Sequence, residues 1–504
     1  MNNGPLTFAQ RWTLFIALSL ATFMMVLDYS IANVSLPYIA GDLGVSNQQG
    51  TYVITTFAVG NAIGLAMTGW LTKRFGEVKT MLVSILFFTL FSVLCGLSIT
   101  LPMLVFSRFM QGLIAGPIIP LSQSLLLKYG TSETHSRDLS IWSMIVITAP
   151  VLGPLLGGYI SDWYKWPWIF YINVPVGIFC VAAIWIILKD RESKTEKVPA
   201  DYSGMFLLAL GVSCLQVFLD KGQEWDWFRS EKIWLLTIGM ILGFTYLIIR
   251  ENTTKSPLID LKLLKVPTFL LSIVCLMFSY AMYFGSVVLV PLWLQEYMHY
   301  NAEWAGIAVC SLGIAPVFLS FLAPIFMKKY GLIKMLMLSF FFFAVACFYS
   351  AFFTIQADVG HISFARFIFG FGFICYIAPL LSISVQQISL EKLPMATGLF
   401  HFVRSMMGGV GTSVFTTLWM RRTYFHHERI GETLTIYNPI LPPTVGQERL
   451  ALLNGSVDQQ AAMLAINDTF LLMGCLFTSL IVLLLIWNYY NPESKGIEIH
   501  TTSE

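Results

Sequence analysis

Hydrophobic residues run along this chain in long unbroken stretches and do not alternate with polar ones. Runs of about twenty apolar residues, each enough for one helix across ~30 Å of hydrocarbon, lie near 13–33, 51–71, 80–99, 103–127, 139–160, 168–188, 203–219, 233–249, 269–291, 304–326, 335–353, 363–385, 395–418 and 467–487. The pattern predicts fourteen membrane-crossing helices. Strands of a membrane barrel would show a period of two, so a barrel is excluded. Two polar stretches interrupt the series: the charged linker KDRESKTEK at 189–197, and a long loop at 420–465. Inside that loop, QERLALLNGSVDQQAAMLAIN has apolar residues at helical spacing and predicts an amphipathic helix.

Composition sharpens this picture. The 504 residues are 56% hydrophobic and 12% charged, about half the charge of a soluble domain. The chain is an all-α integral membrane protein. Its formal charge of +2 and lack of a basic block give no sign of nucleic-acid binding. The eight cysteines fall in apolar runs without CxxC or metal-ligand spacing, so buried thiols are expected and no metal site. The first run is long, follows a single Arg11 and lacks a small-residue cleavage site, so it reads as a span and not a signal peptide. With the N-terminus inside, cytoplasmic segments carry 19 Lys and Arg against 8 on the other side. That bias puts both termini in the cytoplasm.

The sequence also repeats itself. KRFGEVKTM (73–81) is similar to KKYGLIKM (328–335), and SRFMQG (107–112) to ARFIFG (365–370). Arg108 then stands opposite Arg366 and Gly112 opposite Gly370, at offsets of 255 and 258 residues for the two matches. The register holds only if spans seven and eight are an insertion. The expected division is a six-helix half over 1–190, a linker with two inserted helices over 191–265, and a second six-helix half over 266–504. Parallel halves of six spans mark the major facilitator fold, whose substrate site lies between the halves near the midplane.

At this point five segments, in order, resemble one branch of that superfamily: LDYSIANVSLPYIAGDLGVS (27–46), GWLTKRFGEVK (69–79), RFMQGLIAGPIIPLSQSLL (108–126), APVLGPLLGGYISD (149–162) and WPWIFYINVPVG (166–177). The chain resembles the fourteen-span drug:proton antiporters of the EmrB/QacA family over nearly its whole length. The resemblance implies proton-driven export of amphipathic drugs across the cell inner membrane. It also implies a periplasmic adaptor of the membrane-fusion type and a TolC-like outer-membrane channel; the long outer loop 420–465 is, by its size and side, the candidate docking element. Gly69, Lys73, Arg74, Gly76 and Lys79 match the superfamily loop motif. Lys73 departs from that motif by standing where an acid is usual, and Glu77 where a base is usual. Pro150, Gly153, Pro154, Gly157 and Gly158 match the antiporter signature of span five, with Ala149 in place of a glycine.

Individual residues carry the expected chemistry. Asp28 interrupts an apolar span, and intramembrane ionisable groups are functional by default. A low-dielectric cavity penalises its charged form, so Asp28 can take up a proton near neutral pH. Met24, Met25 and Ala32 share its helix face and offer a soft cavity wall. Arg108 shares a face with Gln111 and is expected to pair with Asp28, so that protonation biases an inward–outward equilibrium. Gln123, and His401 with Arg404 from the second half, are further candidates for the cavity. Arg366 lacks a Gln at the place of Gln111 and is expected to be structural. His426, His427 and Glu428 read as solvated, not as metal ligands.

No G-x-x-x-x-G-K-[ST] phosphate loop occurs, so the proton gradient is the expected energy source and no cofactor is needed. Export of an endogenous metabolite or siderophore fits the same residues. An intramembrane enzyme does not, because neither H-E-x-x-H nor G-x-S-x-G is present.

Overall fold

The computed structural model describes residues 6–129, 135–193, 195, 201–254, 261–319, 322–388, 393–434 and 447–491. The first half contributes α1 (Phe8–Asp42), α2 (Asn47–Phe75), α3 (Glu77–Gly96), α4 (Leu101–Leu126), α5 (His135–Trp163) and α6 (Trp168–Leu188). A hairpin of α7 (Tyr202–Lys221) and α8 (Glu231–Thr253) follows. The second half holds α9 (Pro267–Glu296), α10 (Ala302–Leu319), α11 (Leu332–Ser350), α12 (Val359–Val385), α13 (Leu393–Thr433) and α14 (Gln447–Tyr490). Among the described residues, twelve helices are long and apolar enough to cross a membrane; α5 and α13 are not counted in that twelve.

Helix ends follow from local chemistry. Thr7 with Gln10 and Ser46 with Gln49 form reciprocal capping boxes at the starts of α1 and α2, each satisfying orphan amides. Asp201, Asn301 and Asp358 cap α7, α10 and α12 through single side-chain acceptors. Gly76 and Gly331, in the two copies of the repeated loop, adopt φ of 93° and 83°. Only glycine takes that conformation cheaply, so both loops turn sharply in the same way. The repeat extends to close crossings. A Cβ on Gly112 would lie 2.2 Å from the Phe57 carbonyl, and one on Gly370 would lie 2.3 Å from that of Leu312.

A carboxylate from elsewhere in the chain reaches this loop. Glu192, in the linker after α6, accepts from the amides of Val78 at 2.9 Å and Lys79 at 2.8 Å. A carboxylate there complements the positive end of α3. Glu77 in turn pairs with Lys128 at 2.7 Å and accepts from Ser124 at 2.9 Å. Lys73, Arg74, Gly69 and Lys79 remain exposed.

Two expectations change. The stretch 420–465 is not simply a loop. α13 and α14 are 41 and 44 residues long, or about 60 Å and 66 Å at 1.5 Å per residue. Both outrun the hydrocarbon and continue beyond it as an antiparallel pair; residues 435–446 lie outside the described residues. Arg422 Nε meets Asp468 at 2.7 Å and His426 meets it at 2.6 Å, tying the pair together. The amphipathic segment expected near 447–467 is therefore the first half of α14. The thiol of Cys475, expected to be buried, is exposed on α14.

The halves meet through α1, α2 and α5 on one side and α9, α10 and α13 on the other. Asp162 accepts from the amides of Ala302 at 3.3 Å and Glu303 at 2.7 Å, and Gln295 donates to the Val34 carbonyl at 2.9 Å. These contacts close the bundle at the end where α10 begins, the Ala302 end.

Candidate functional site

Asp28 and Arg108 are both fully buried and form an ion pair. Leaving either charge alone inside a bundle is costly, so each needs the other. Gln111 Oε1 accepts from Arg108 at 2.8 Å, and Gln111 Nε2 donates to Asp28 at 3.2 Å. Gln111, expected along the cavity, thus belongs to the ionic cluster, one turn from Arg108 on α4. Asn173 at the start of the long turn of α6 donates to Asp28 at 2.6 Å and to Ser92 of α3 at 2.8 Å. Arg108 Nε reaches across to the Val53 carbonyl of α2 at 3.0 Å. The cluster therefore joins α1, α2, α3, α4 and α6, and a change of charge at Asp28 is felt by all five.

The guanidinium also lies 4.3 Å from the centroid of Phe57. From there an aromatic seam crosses between the halves: Phe57 stacks on Tyr29 at 5.2 Å, and Tyr29 on Phe284 at 4.6 Å. Tyr280 and Tyr283 extend the seam in α9, and Arg404 sits 5.9 Å over Tyr280. Tyr29 Oη, both polar atoms of Asn33 and His401 Nδ1 are buried with no protein partner. Buried polar atoms of that kind are what a polar guest or water would satisfy. His401 and Arg404 lie one turn apart on α13, both half-buried.

Other expected residues fall differently. Met24 and Met25 are 2% and 4% exposed and pack with Phe57 and Ile118 inside the first half; Ala32 is fully buried. Gln123 is half-buried, twelve residues beyond Gln111 on α4 and away from the cluster. In α5, a Cβ on Gly153 would strike Ser30 Oγ at 2.2 Å, and one on Gly157 would strike the Ile31 carbonyl at 2.5 Å. Gly158 meets the Ala302 carbonyl at 2.3 Å by the same measure, and the Pro154 carbonyl faces Gly306 at 2.3 Å. The signature glycines let α5 touch α1 and the opposite half at once. The side chain of Pro150 lies outside the described residues.

Sequence reading missed Asn173, Ser92 and the aromatic seam. Asn173 could have been found as the lone amide in YINVPVG. The seam could not, because its rings come from three helices of two halves.

A helical bundle of two halves, with a buried carboxylate–guanidinium cluster in one half and an aromatic seam between the halves, has the architecture of a membrane transporter. Residues 18–412 match the Major Facilitator Superfamily, and the chain belongs to that superfamily. It is 42% identical over 503 residues to the multidrug export protein EmrB of Escherichia coli (strain K12), with 98% of each chain covered. It is 39% identical over 505 residues to the fatty acid resistance protein FarB of Neisseria gonorrhoeae, covering 98% of this chain and 99% of that one. Among solved structures, a bacterial homologue of the human lysosomal transporter Spinster, inward-facing and unoccupied, superposes with a TM-score of 0.64. That match has 15% identity and covers 96% of this chain and 99% of that one, and it shows the same fold.

Proposed function

We propose that this protein exports amphipathic drugs and other toxic compounds across the cell inner membrane in exchange for protons. The observation that carries the reading is the contact between Arg108 and Phe57, which joins the Asp28 ion pair to the aromatic seam between the halves. A proton on Asp28 removes the counter-ion of Arg108 and leaves it with Gln111, the Val53 carbonyl and the Phe57 face. The neighbouring helices then re-settle, and the seam opens to the other side. A proton returning across 100 mV supplies roughly 2.3 kcal/mol, enough for about a fifty-fold gradient of a neutral substrate. Similarity to a multidrug exporter supports the drug class. Arg404 beside Tyr280, and a relative named for fatty acid resistance, favour amphipathic anions as part of the range.

The fourteen long helices support fourteen spans as six, two and six, with both termini cytoplasmic and the Ala302 end outside. The chain then divides at 1–190, 191–265 and 266–504. The projecting pair of α13 and α14 is the proposed dock for an EmrA-like periplasmic adaptor that leads to a TolC-like outer-membrane channel. Its exposed Tyr424, Phe425 and Leu452 support that role. The test is efflux of a lipophilic aromatic dye from proteoliposomes under an imposed pH gradient. Asp28→Asn is expected to remain in the membrane and lose coupled efflux; normal pH-driven efflux by that variant overturns the reading.

A further inference from the structure

α7 is wedged at the Ala302 end between α2 of the first half and α13 of the second. Its last turn carries a second buried carboxylate, Asp220, at the end of an apolar run. Three neutral donors converge on it from three parts of the molecule: Thr55 of α2 at 2.7 Å, Gln216 of α7 at 2.9 Å, and Ser413 of α13. Gln216 also donates to Ser413 at 2.6 Å.

The charged and titratable groups around it are otherwise engaged. Lys221 pairs with Glu224 at 2.7 Å. Tyr52 of α2 donates to Glu224 at 3.2 Å and to the Asp220 carbonyl at 3.1 Å. Arg421 of α13 donates to Gln223 at 2.7 Å, and Lys232 of α8 lies 5.0 Å over Trp225. Among the described residues, none of these cations forms an ion pair with Asp220. One turn of α2 is thus held from two sides. The Val53 carbonyl accepts from Arg108, and Thr55, two residues on, donates to Asp220.

We infer that Asp220 is a second proton-binding carboxylate of the transport cycle, and that its ionised form latches the two halves together at the outer end. An ionised carboxylate only accepts, and hydrogen bonds to it are roughly twice as strong as neutral ones. Protonation turns one oxygen into a donor, so three donors compete for a weaker and smaller acceptor. Thr55 and Ser413 belong to opposite halves and must part when the outer end opens. A proton from the outer side therefore loosens the closed end, and closure expels it. Movement of Thr55 carries the Val53 carbonyl with it and so reaches Arg108 and Asp28. The inference rests on the exporter reading and on the Ala302 end being outside; it does not need Asp28 to be the coupling group.

The test uses the full chain in nanodiscs, with native cysteines replaced and spin labels at Ile99→Cys and Phe352→Cys. These loop positions, one in each half, are 83% and 80% exposed. Distances are measured by double electron–electron resonance between about pH 5.5 and 8. In the parent, the open population is expected to rise on acidification by up to about tenfold per pH unit for each proton whose uptake favours opening. Asp220→Asn carries both a donor and an acceptor, as the protonated acid does, and is expected to be open throughout and insensitive to pH. Thr55→Val keeps the carboxylate but loses a donor between the halves; it is expected to be more open than the parent near pH 8 and still to respond to acid. A pH-independent distance in the parent, or the parent's response surviving in Asp220→Asn, overturns the latch. Dye efflux from the same protein in liposomes reports separately. Coupled efflux with no pH-dependent opening refutes the latch alone, and no efflux with the expected distances refutes the exporter reading alone.

Discussion

Arg108 and Arg366 stand at matching places in the two halves, and both are buried to within 1%. Around the first, Asp28 and Ser92 close in; around the second, Ser286 and Ser350 stand 258 residues further on in each case. Ser286 takes the place of the carboxylate and lies 3.4 Å from Arg366, with Ser350 at 3.5 Å. Phe369 occupies the place of Gln111, and the second guanidinium rests over Phe369 at 5.6 Å and Phe470 at 5.1 Å. The same backbone thus holds an ionic cluster in one half and a cation on aromatic faces in the other. Among the described residues, only the first has an acid on its guanidinium to protonate. The lesson is that duplication preserved the frame and left the chemistry to one copy.

The strongest way to break that comparison is to make the first half like the second. Asp28→Ser is expected to collapse the substrate gradient that coupling sustains, about fifty-fold per proton at 100 mV, and to destabilise the protein by about 3–5 kcal/mol through the unpaired Arg108. Dye efflux and thermal melting in detergent check the two effects; retained coupling removes the asymmetry. Restoring an acid on the other side, Asp28→Ser with Ser286→Asp, is expected not to recover efflux, since among the described residues Ser286 bonds to the Tyr283 carbonyl and Arg366 and to no side-chain amide like Gln111 or Asn173. Arg366→Met is expected to keep the pH dependence of efflux and to leave stability unchanged or higher by about 1–4 kcal/mol, because it exchanges a charge without a carboxylate for an apolar side chain. Lost pH dependence at unchanged stability would give the second half a proton role.

Smaller effects sharpen the shared frame. Gly112→Ala and Gly370→Ala are each expected to cost about 1–3 kcal/mol by overpacking, and to cost nearly the same, because the carbonyls they would strike lie at 2.2 and 2.3 Å. Unequal melting losses would show that the two crossings are not equivalent. Asn173→Ala removes a donor to the Asp28 carboxylate and is expected to lower stability by about 1.5–3 kcal/mol, with no counterpart to test in the other half.

Much of this is legible in the amino-acid sequence. Lipid offers no hydrogen bonds to the backbone, so apolar runs must be helices, and their positions follow from the sequence. Asp28 stood out because charge in such a run is rare, and Arg108 because the repeat and the antiporter resemblance pointed to it. Asp220 did not stand out, since an acid at the end of an apolar run reads as a boundary. Glu192 was hidden for a similar reason: in KDRESKTEK nothing marks one acid as the cap of a distant helix.

The amino-acid sequence by itself determined the helices, the repeat and which residues were too costly to be incidental. Those properties depend on neighbours along the chain and on the solvent around it. Tertiary structure alone decided the partners: Asn173 on Asp28, Phe57 under Arg108, Tyr29 against Phe284, and Thr55 with Ser413 on Asp220. Hydrogen bonds and ring contacts act over a few ångströms, and residues more than a hundred positions apart reach that range only when the helices have chosen how to cross.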